Sequence, residues 1–117
     1  MAAASGYDAR VTESILRRIP VVGGVAYLEH IRRLPSAFTA TLHAESDNRY
    51  FRHAIAVIAA GQKVGYVAPE VATSYFERVR QAATPLTCAG RPARHSDHES
   101  SGVELFLDFS SLESSAA

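Results

Sequence analysis

The chain alternates apolar and polar positions over much of its length, and the period of that alternation changes along it. Val11, Ile15, Leu16 and Ile19 recur at helical spacing, with Arg10, Glu13, Arg17 and Arg18 between them. Asp8 is placed to cap that helix and Pro20 to end it. Val21-Val22 then reads as a short strand running into Gly23-Gly24, where the backbone bends or is closely approached. Tyr27, Ile31 and Leu34 share a helical face within 26–34, and Pro35 stops that helix. Phe38, Ala40, Leu42 and Ala44 alternate with Thr39, Thr41, His43 and Glu45, the pattern of a half-buried strand. Residues 54–60 are apolar at every position, which predicts a central strand covered on both faces. Gly61-Gln62 reads as a two-residue hairpin turn into a strand over Lys63 to Val67.

Pro69 and Glu70 suit the first turn of a helix, a proline needing no N–H there and an acid meeting the positive end of the dipole. Val71, Ala72, Tyr75, Phe76 and Val79 carry its apolar stripe to about Gln81. Leu86 to Ala89 reads as a strand, and 90–101 as a polar loop. Val103, Leu105, Leu107 and Phe109 alternate with Glu104, Phe106 and Asp108 in a final strand. Residues 1–7 read as a mobile leader, 8–109 as one domain, and 110–117 as a tail without pattern that frays. Several short strands with a late helix predict a mainly β, α+β fold: a small, partly open OB-like or SH3-like β-barrel with two to three packed helices.

At 117 residues, 47% hydrophobic and 21% charged, the chain falls in the globular class. Its formal net charge is zero, so nucleic-acid binding would rest on a local patch and not on a global field. The only cysteine, Cys88, lies in an apolar strand pattern, which excludes an internal disulfide and a cysteine-based zinc site. The first residues lack the cationic and apolar regions of a signal peptide, and no apolar run reaches membrane-spanning length. These features predict a soluble protein of a reducing compartment, cytoplasmic, or nuclear in a eukaryote.

Candidate chemistry concentrates in Asp47-Asn48-Arg49-Tyr50-Phe51-Arg52-His53 and in Lys63 and Tyr66 beyond the hairpin turn. Guanidinium pairs with phosphate, and flat rings stack on bases of any sequence, so Arg beside Tyr suits a single-strand groove. His95-Ser96-Asp97-His98-Glu99 places four metal-ligand side chains in five residues but matches no helical or hairpin ligand spacing, and a solvated loop is expected. Ser, His and Asp are present without a nucleophile elbow, and the glycines form no phosphate-binding motif. The chain therefore reads as a non-enzyme without cofactor or metal.

Three blocks resemble the HIRAN domain family. Pro20-Val21-Val22-Gly23-Gly24-Val25-Ala26-Tyr27 resembles its opening V-V-G-x-x-x-Y strand. Asn48-Arg49-Tyr50-Phe51-Arg52-His53-Ala54-Ile55-Ala56-Val57 is similar to N-P-Y-D-x-N-A-I-x-V. Gly61-Gln62-Lys63-Val64-Gly65-Tyr66-Val67, with Pro69, Glu70 and Ala72 following, is similar to G-x-x-V-G-[YH]-L and its helix. The late Gly102-Val103-Glu104-Leu105-Phe106-Leu107-Asp108 resembles the closing strand of stand-alone bacterial members, so the resemblance spans residues 19–109. It implies a modified OB-like barrel. In members fused to Swi/Snf-class translocases that act in DNA repair at stalled replication forks, the domain grips the 3′ end of single-stranded DNA.

Carried over by position, the resemblance puts Asn48, Tyr50 and Arg52 on the groove loop, Tyr66 where a ring stacks on a base, and Tyr27 near the groove's first strand. Arg49, His53 and Lys63 complete the expected nucleic-acid site. The chain departs from the family at two places. Phe51 stands where the family has the acid that accepts a bond from the terminal 3′-hydroxyl, and Val25-Ala26 stand where it has Arg-Tyr. Two readings follow. One is weak, sequence-tolerant binding of single-stranded DNA or DNA ends. The alternative is a protein–protein interaction module that kept the barrel and uses Phe51 as an apolar anchor.

Overall fold

The computed structural model describes residues 15–93 and 103–114. The strands are β1 (Ile19–Val22), β2 (Phe38–Glu45), β3 (Ala54–Ala59), β4 (Gln62–Val67), β5 (Thr87–Pro92) and β6 (Leu105–Asp108). A 3-10 turn (Gly24–Tyr27) leads into helix α1 (Leu28–Arg32). Helix α2 (Pro69–Gln81) lies between β4 and β5, and helix α3 (Ser110–Ser114) follows β6. The strands pair in the order β1-β4-β3-β2-β5-β6, all antiparallel, and β6 returns to β1 so that the ring closes. This is the small β-barrel with packed helices that the pattern predicts. No helix among the described residues is long and apolar enough to cross a membrane.

One apolar cluster fills the ring. Ile19, Val21, Ala40, Leu42, Ile55, Val57, Val64, Val67, Leu105 and Leu107 are all buried within it. Helix α2 adds Ala72, Tyr75, Phe76 and Val79, the stripe its spacing predicts. Ile31 is buried on α1, with Tyr27 and Leu34 half-buried beside it, as their shared face implies.

Four expectations change. Residues 8–14 lie outside the described residues, and the expected helix does not reach Ile19. Ile15 is exposed, while Ile19 and Val21 point inward on either side of Pro20 as β1. The 3–4 spacing of these apolar residues mimics a helix, but a barrel wall takes β-branched side chains two apart. The hairpin turn is Ala60-Gly61, not Gly61-Gln62, because Ala59 pairs with Gln62. Both turn residues have positive φ, Ala60 at 53° and Gly61 at 77°, the backbone of the tight turns that suit twisted strands. Strand β5 runs to Pro92, into the stretch expected as loop; the run 95–99, expected as a solvated loop, lies outside the described residues. Last, residues 110–114 do not fray. Helix α3 buries Leu112 at 4% exposure, and Glu113 accepts a hydrogen bond from the Tyr75 hydroxyl. The expected leader, 1–7, lies outside the described residues.

Candidate nucleic-acid interface

The candidate residues fall on two levels, and strand register decides which. Glu45 on β2 faces Ala54 on β3, and Ala56, two residues on, faces Tyr66 on β4. Residues two apart share a face of a strand. Glu45 and Tyr66 therefore flank the same small side chains and meet across them. Lys63 would point the other way if β4 were regular, being three residues from Tyr66. The β3–β4 register shifts at Val57/Ile58, leaving Val64 unmatched and bringing Lys63 opposite Ile58 on that same outer face. A bulge of this kind re-aims a side chain. Gly65 makes the passage possible: its φ is 148°, and a Cβ there would lie 2.6 Å from Val21 Cγ1 and 2.7 Å from the Val22 carbonyl oxygen.

Here the lower level forms. Lys63 Nζ donates to Glu45 Oε2 at 2.6 Å and to the Tyr66 hydroxyl oxygen at 2.9 Å. The Tyr66 hydroxyl donates to Glu45 Oε1 at 2.9 Å, and Asn48 Nδ2 donates to the same oxygen at 3.0 Å. The other end of the Asn48 amide, Oδ1, accepts the backbone N–H groups of Tyr50 at 2.8 Å and Phe51 at 2.9 Å. Only this orientation gives the carboxylate a donor and the two amides an acceptor. Burial pushes the Glu45 carboxyl upward, but the bonds from Lys63, Asn48 and Tyr66 and the charge of Lys63 outweigh it and hold the group below the ordinary carboxylate range. The bond to Glu45 and then that to Tyr66 hold the Lys63 ammonium well above its ordinary range. His30 on α1 lies against the same strand, its Nδ1 3.3 Å from the Lys63 carbonyl oxygen.

The upper level is the loop itself. Phe51 lies over Tyr66, the ring centroids 6.4 Å apart and tilted by 55°. Tyr50 is 87% exposed and Phe51 39%. Arg49 and Arg52 are exposed, and neither makes an ion pair with a described residue. Between this loop and the first turn of α2 runs an open groove of about 180 Å³. Tyr50, Phe51, Arg52, His53, Pro69 and Thr73 are among its walls. His53 meets Phe76 edge to face, 5.2 Å between ring centroids and 63° between planes.

The eight expected site residues thus separate. Tyr50, Arg52 and His53 line the groove, and Arg49 is exposed beside it. Lys63 and Tyr66 lie beneath the loop and Asn48 at its start, each donating a hydrogen bond to Glu45. Tyr27 ends the 3-10 turn and packs half-buried on the core, away from the groove walls. Tyr66, which the resemblance puts where a ring stacks on a base, sits half-buried on the outer face with its ring 6.4 Å from that of Phe51. Glu45 is the residue that sequence reasoning missed, since on its own it is one polar position in an alternating strand.

Cys88 is buried, and burial, with Asp108 nearby, raises its thiol to about 12, which suits a core residue and not a nucleophile. No group of three or more His, Cys, Asp or Glu among the described residues is arranged to hold a metal. No family model, no curated protein and no solved structure matches this chain.

Proposed function

We propose that the chain is a HIRAN-like module that binds single-stranded DNA or DNA ends weakly and without sequence preference. One observation carries this reading. Tyr50, 87% exposed, stands between two exposed arginines on a loop whose base is fixed by hydrogen bonds. An exposed ring is a stacking surface for any base, and guanidinium groups beside it track the phosphates. The resemblance of the three sequence blocks to the HIRAN family supports the same reading, and the groove borders the loop that the second block supplies. Lys63, tied to Glu45, is not a free phosphate contact.

Titration of labelled single strands with free and blocked 3′ ends tests the proposal. Two arginines neutralising two phosphates give a shallow dependence, log K against log salt sloping about −1.4 on single strands. Blocking the 3′-hydroxyl changes affinity little, because Phe51 has no acceptor for its proton. Absence of binding at low salt by folded protein removes the proposal.

A second reading has its own observation. Phe51 and Val25 are exposed at 39% and 75%, Phe51 lying over Tyr66 and Val25 following the strand that pairs with Tyr66. A protein–protein module would use Phe51 as its anchor, and Phe51→Ala, not Arg52→Ala, would then abolish binding to the partner.

A further inference from the structure

Asn48, Lys63 and Tyr66 share one partner, and that partner is Glu45. Both carboxylate oxygens are occupied: Oε1 accepts from Tyr66 and Asn48, Oε2 from Lys63. The Glu45 side chain is 16% exposed and that of Lys63 32%, so solvent competes weakly for the pair. From Glu45 the connection runs outward through one side chain. Asn48 holds the carboxylate with its nitrogen and the amides of Tyr50 and Phe51 with its oxygen. Two ring contacts also hold the loop: Phe51 meets Tyr66, whose hydroxyl is bound to the same carboxylate, and His53 at the loop's end meets Phe76. Loop residues 49–52 are exposed, so burial does little to shape them.

We infer that Glu45 is a positioning residue: through Asn48 and Tyr66 it sets the conformation of the 46–53 loop and thereby presents Tyr50 and Arg52 to a ligand. It touches no ligand itself. A loop pre-ordered in this way loses less freedom on binding, and a looser one binds more weakly. The consequence for DNA affinity rests on the single-strand reading above; the consequence for the loop does not.

Three variants grade the effect. Glu45→Ala removes the three bonds to the carboxylate, from Lys63, Tyr66 and Asn48, and leaves the Lys63–Tyr66 bond and those of the Asn48 oxygen. Glu45→Gln keeps an oxygen for Asn48 and Tyr66 but turns an amide donor toward the Lys63 ammonium. Asn48→Ala leaves the Glu45–Lys63–Tyr66 triangle intact and cuts only the link to the loop. Amide hydrogen exchange by NMR reads the loop directly at Tyr50 and Phe51. Exchange at these two amides is expected to quicken by roughly three- to tenfold in Glu45→Ala and Asn48→Ala, about the worth of one hydrogen bond, and by less in Glu45→Gln. Core amides of β3, at Ile55 and Val57, should be unchanged in Asn48→Ala.

Oligonucleotide affinity should fall by a similar factor in Glu45→Ala and Asn48→Ala, with the order of variants the same. Wild-type exchange at Tyr50 and Phe51 in Glu45→Ala overturns the inference. So does acceleration spread evenly over loop and core, which would mean general loss of stability. If the loop amides loosen as expected but the wild type binds no oligonucleotide, the positioning role stands and the single-strand reading falls.

Discussion

Two segments are clasped to the outside of this barrel, and they are held by different forces. Helix α3 is fixed through Leu112, 4% exposed, and follows directly on Phe109, which is fully buried and meets Tyr75 edge to face at 4.8 Å. Its polar clasp, Tyr75 donating to Glu113 with Arg78 3.5 Å from the same carboxylate, lies over an apolar anchor. The 46–53 loop has no buried side chain of its own; only His53, at its end, meets the core, its ring 5.2 Å from that of Phe76. Phe51 is more than a third exposed, and the clasp beneath, Glu45 with Lys63, Tyr66 and Asn48, is polar. Burial stabilises by area and tolerates little change, whereas a hydrogen-bonded clasp fixes shape at modest net energy. The first segment belongs to folding. The second should tolerate change with the fold intact, which the proposed recognition role would require.

The largest test of this contrast is Leu112→Ala. Truncating a buried leucine costs roughly 2–5 kcal/mol, read as a shift of the denaturation midpoint. Oligonucleotide affinity of the folded fraction should not change. A loss below about 0.5 kcal/mol would match an exposed site and mean that α3 frays after all.

The two clasps also fail at opposite ends of the pH scale. Burial and then the bond to Glu113 raise the Tyr75 phenol from an ordinary 10.0 to about 12. A group raised on folding favours the folded state below its unfolded value, and that contribution is lost as pH rises through the folded one. Helix α3 should therefore loosen between about pH 10 and 12, followed by tyrosine absorbance near 295 nm together with circular dichroism. Glu45 is held below its ordinary range, so its contribution is present above the unfolded glutamate value and is lost as pH falls through the lower, folded one. Tyr50 and Phe51 amide exchange, corrected for intrinsic rates, should quicken only in acid below that range. Loosening of the loop at neutral pH, with Glu45 charged, would break the assignment.

Tyr66→Phe is a smaller perturbation. It keeps the ring under Phe51 and removes the hydroxyl that joins Lys63 to Glu45. One hydrogen-bonded group of this kind is worth about 0.5–1.5 kcal/mol. Thermal melting should show that loss. Because Phe51 still rests on the ring and Asn48 still reaches Glu45, affinity should fall less than in Asn48→Ala. The reverse order would make the Tyr66 hydroxyl a ligand contact and not part of the clasp.

Much of the barrel was legible because its walls keep strict periods. The alternation of β2 and the stripe of α2 each have one reading that buries their apolar side chains, and the all-apolar run of β3 is too short for a helix and is closed by the Ala60-Gly61 turn. Strand β1 was legible only in its second half, Val21-Val22, since Ile15, Leu16 and Ile19 fit a helix until the barrel needs Ile19 and Val21 side by side. Helix α3 was hidden because one leucine among serines has no period. At the site, the exposed residues Tyr50 and Arg52 were visible from composition. The clasp beneath them was not. Glu45, Lys63 and Tyr66 meet only through the register of three strands, and the unmatched Val64 inverts the parity that Lys63 would otherwise have. The Phe106 ring shows the same limit: it alternates outward on β6 yet is 1% exposed, with the Arg18 and Arg91 guanidiniums 5.2 and 4.9 Å from its centre.

The smallest effect on stability, and the sharpest division of labour, is expected at the rim. Arg52 is exposed and makes no ion pair with a described residue, so Arg52→Ala should move folding stability by no more than about 0.5 kcal/mol. Tyr50, the most exposed of the large apolar side chains among the described residues, should behave the same way on truncation. Single-strand affinity should nonetheless respond in two distinguishable ways. On the single-strand reading, removing Arg52 takes away a phosphate contact, so the slope of log K on log salt should become shallower by about 0.7. Removing the Tyr50 ring takes away stacking, so affinity falls by roughly 1–3 kcal/mol with the slope unchanged. Fluorescence anisotropy across a salt series separates the two in a single experiment. Equal slopes for Arg52→Ala and wild type would mean that the guanidinium meets no phosphate. If Tyr50→Ala also bound like wild type, the groove would not be a single-strand site, and the exposed Phe51 would become the residue to test against a protein partner.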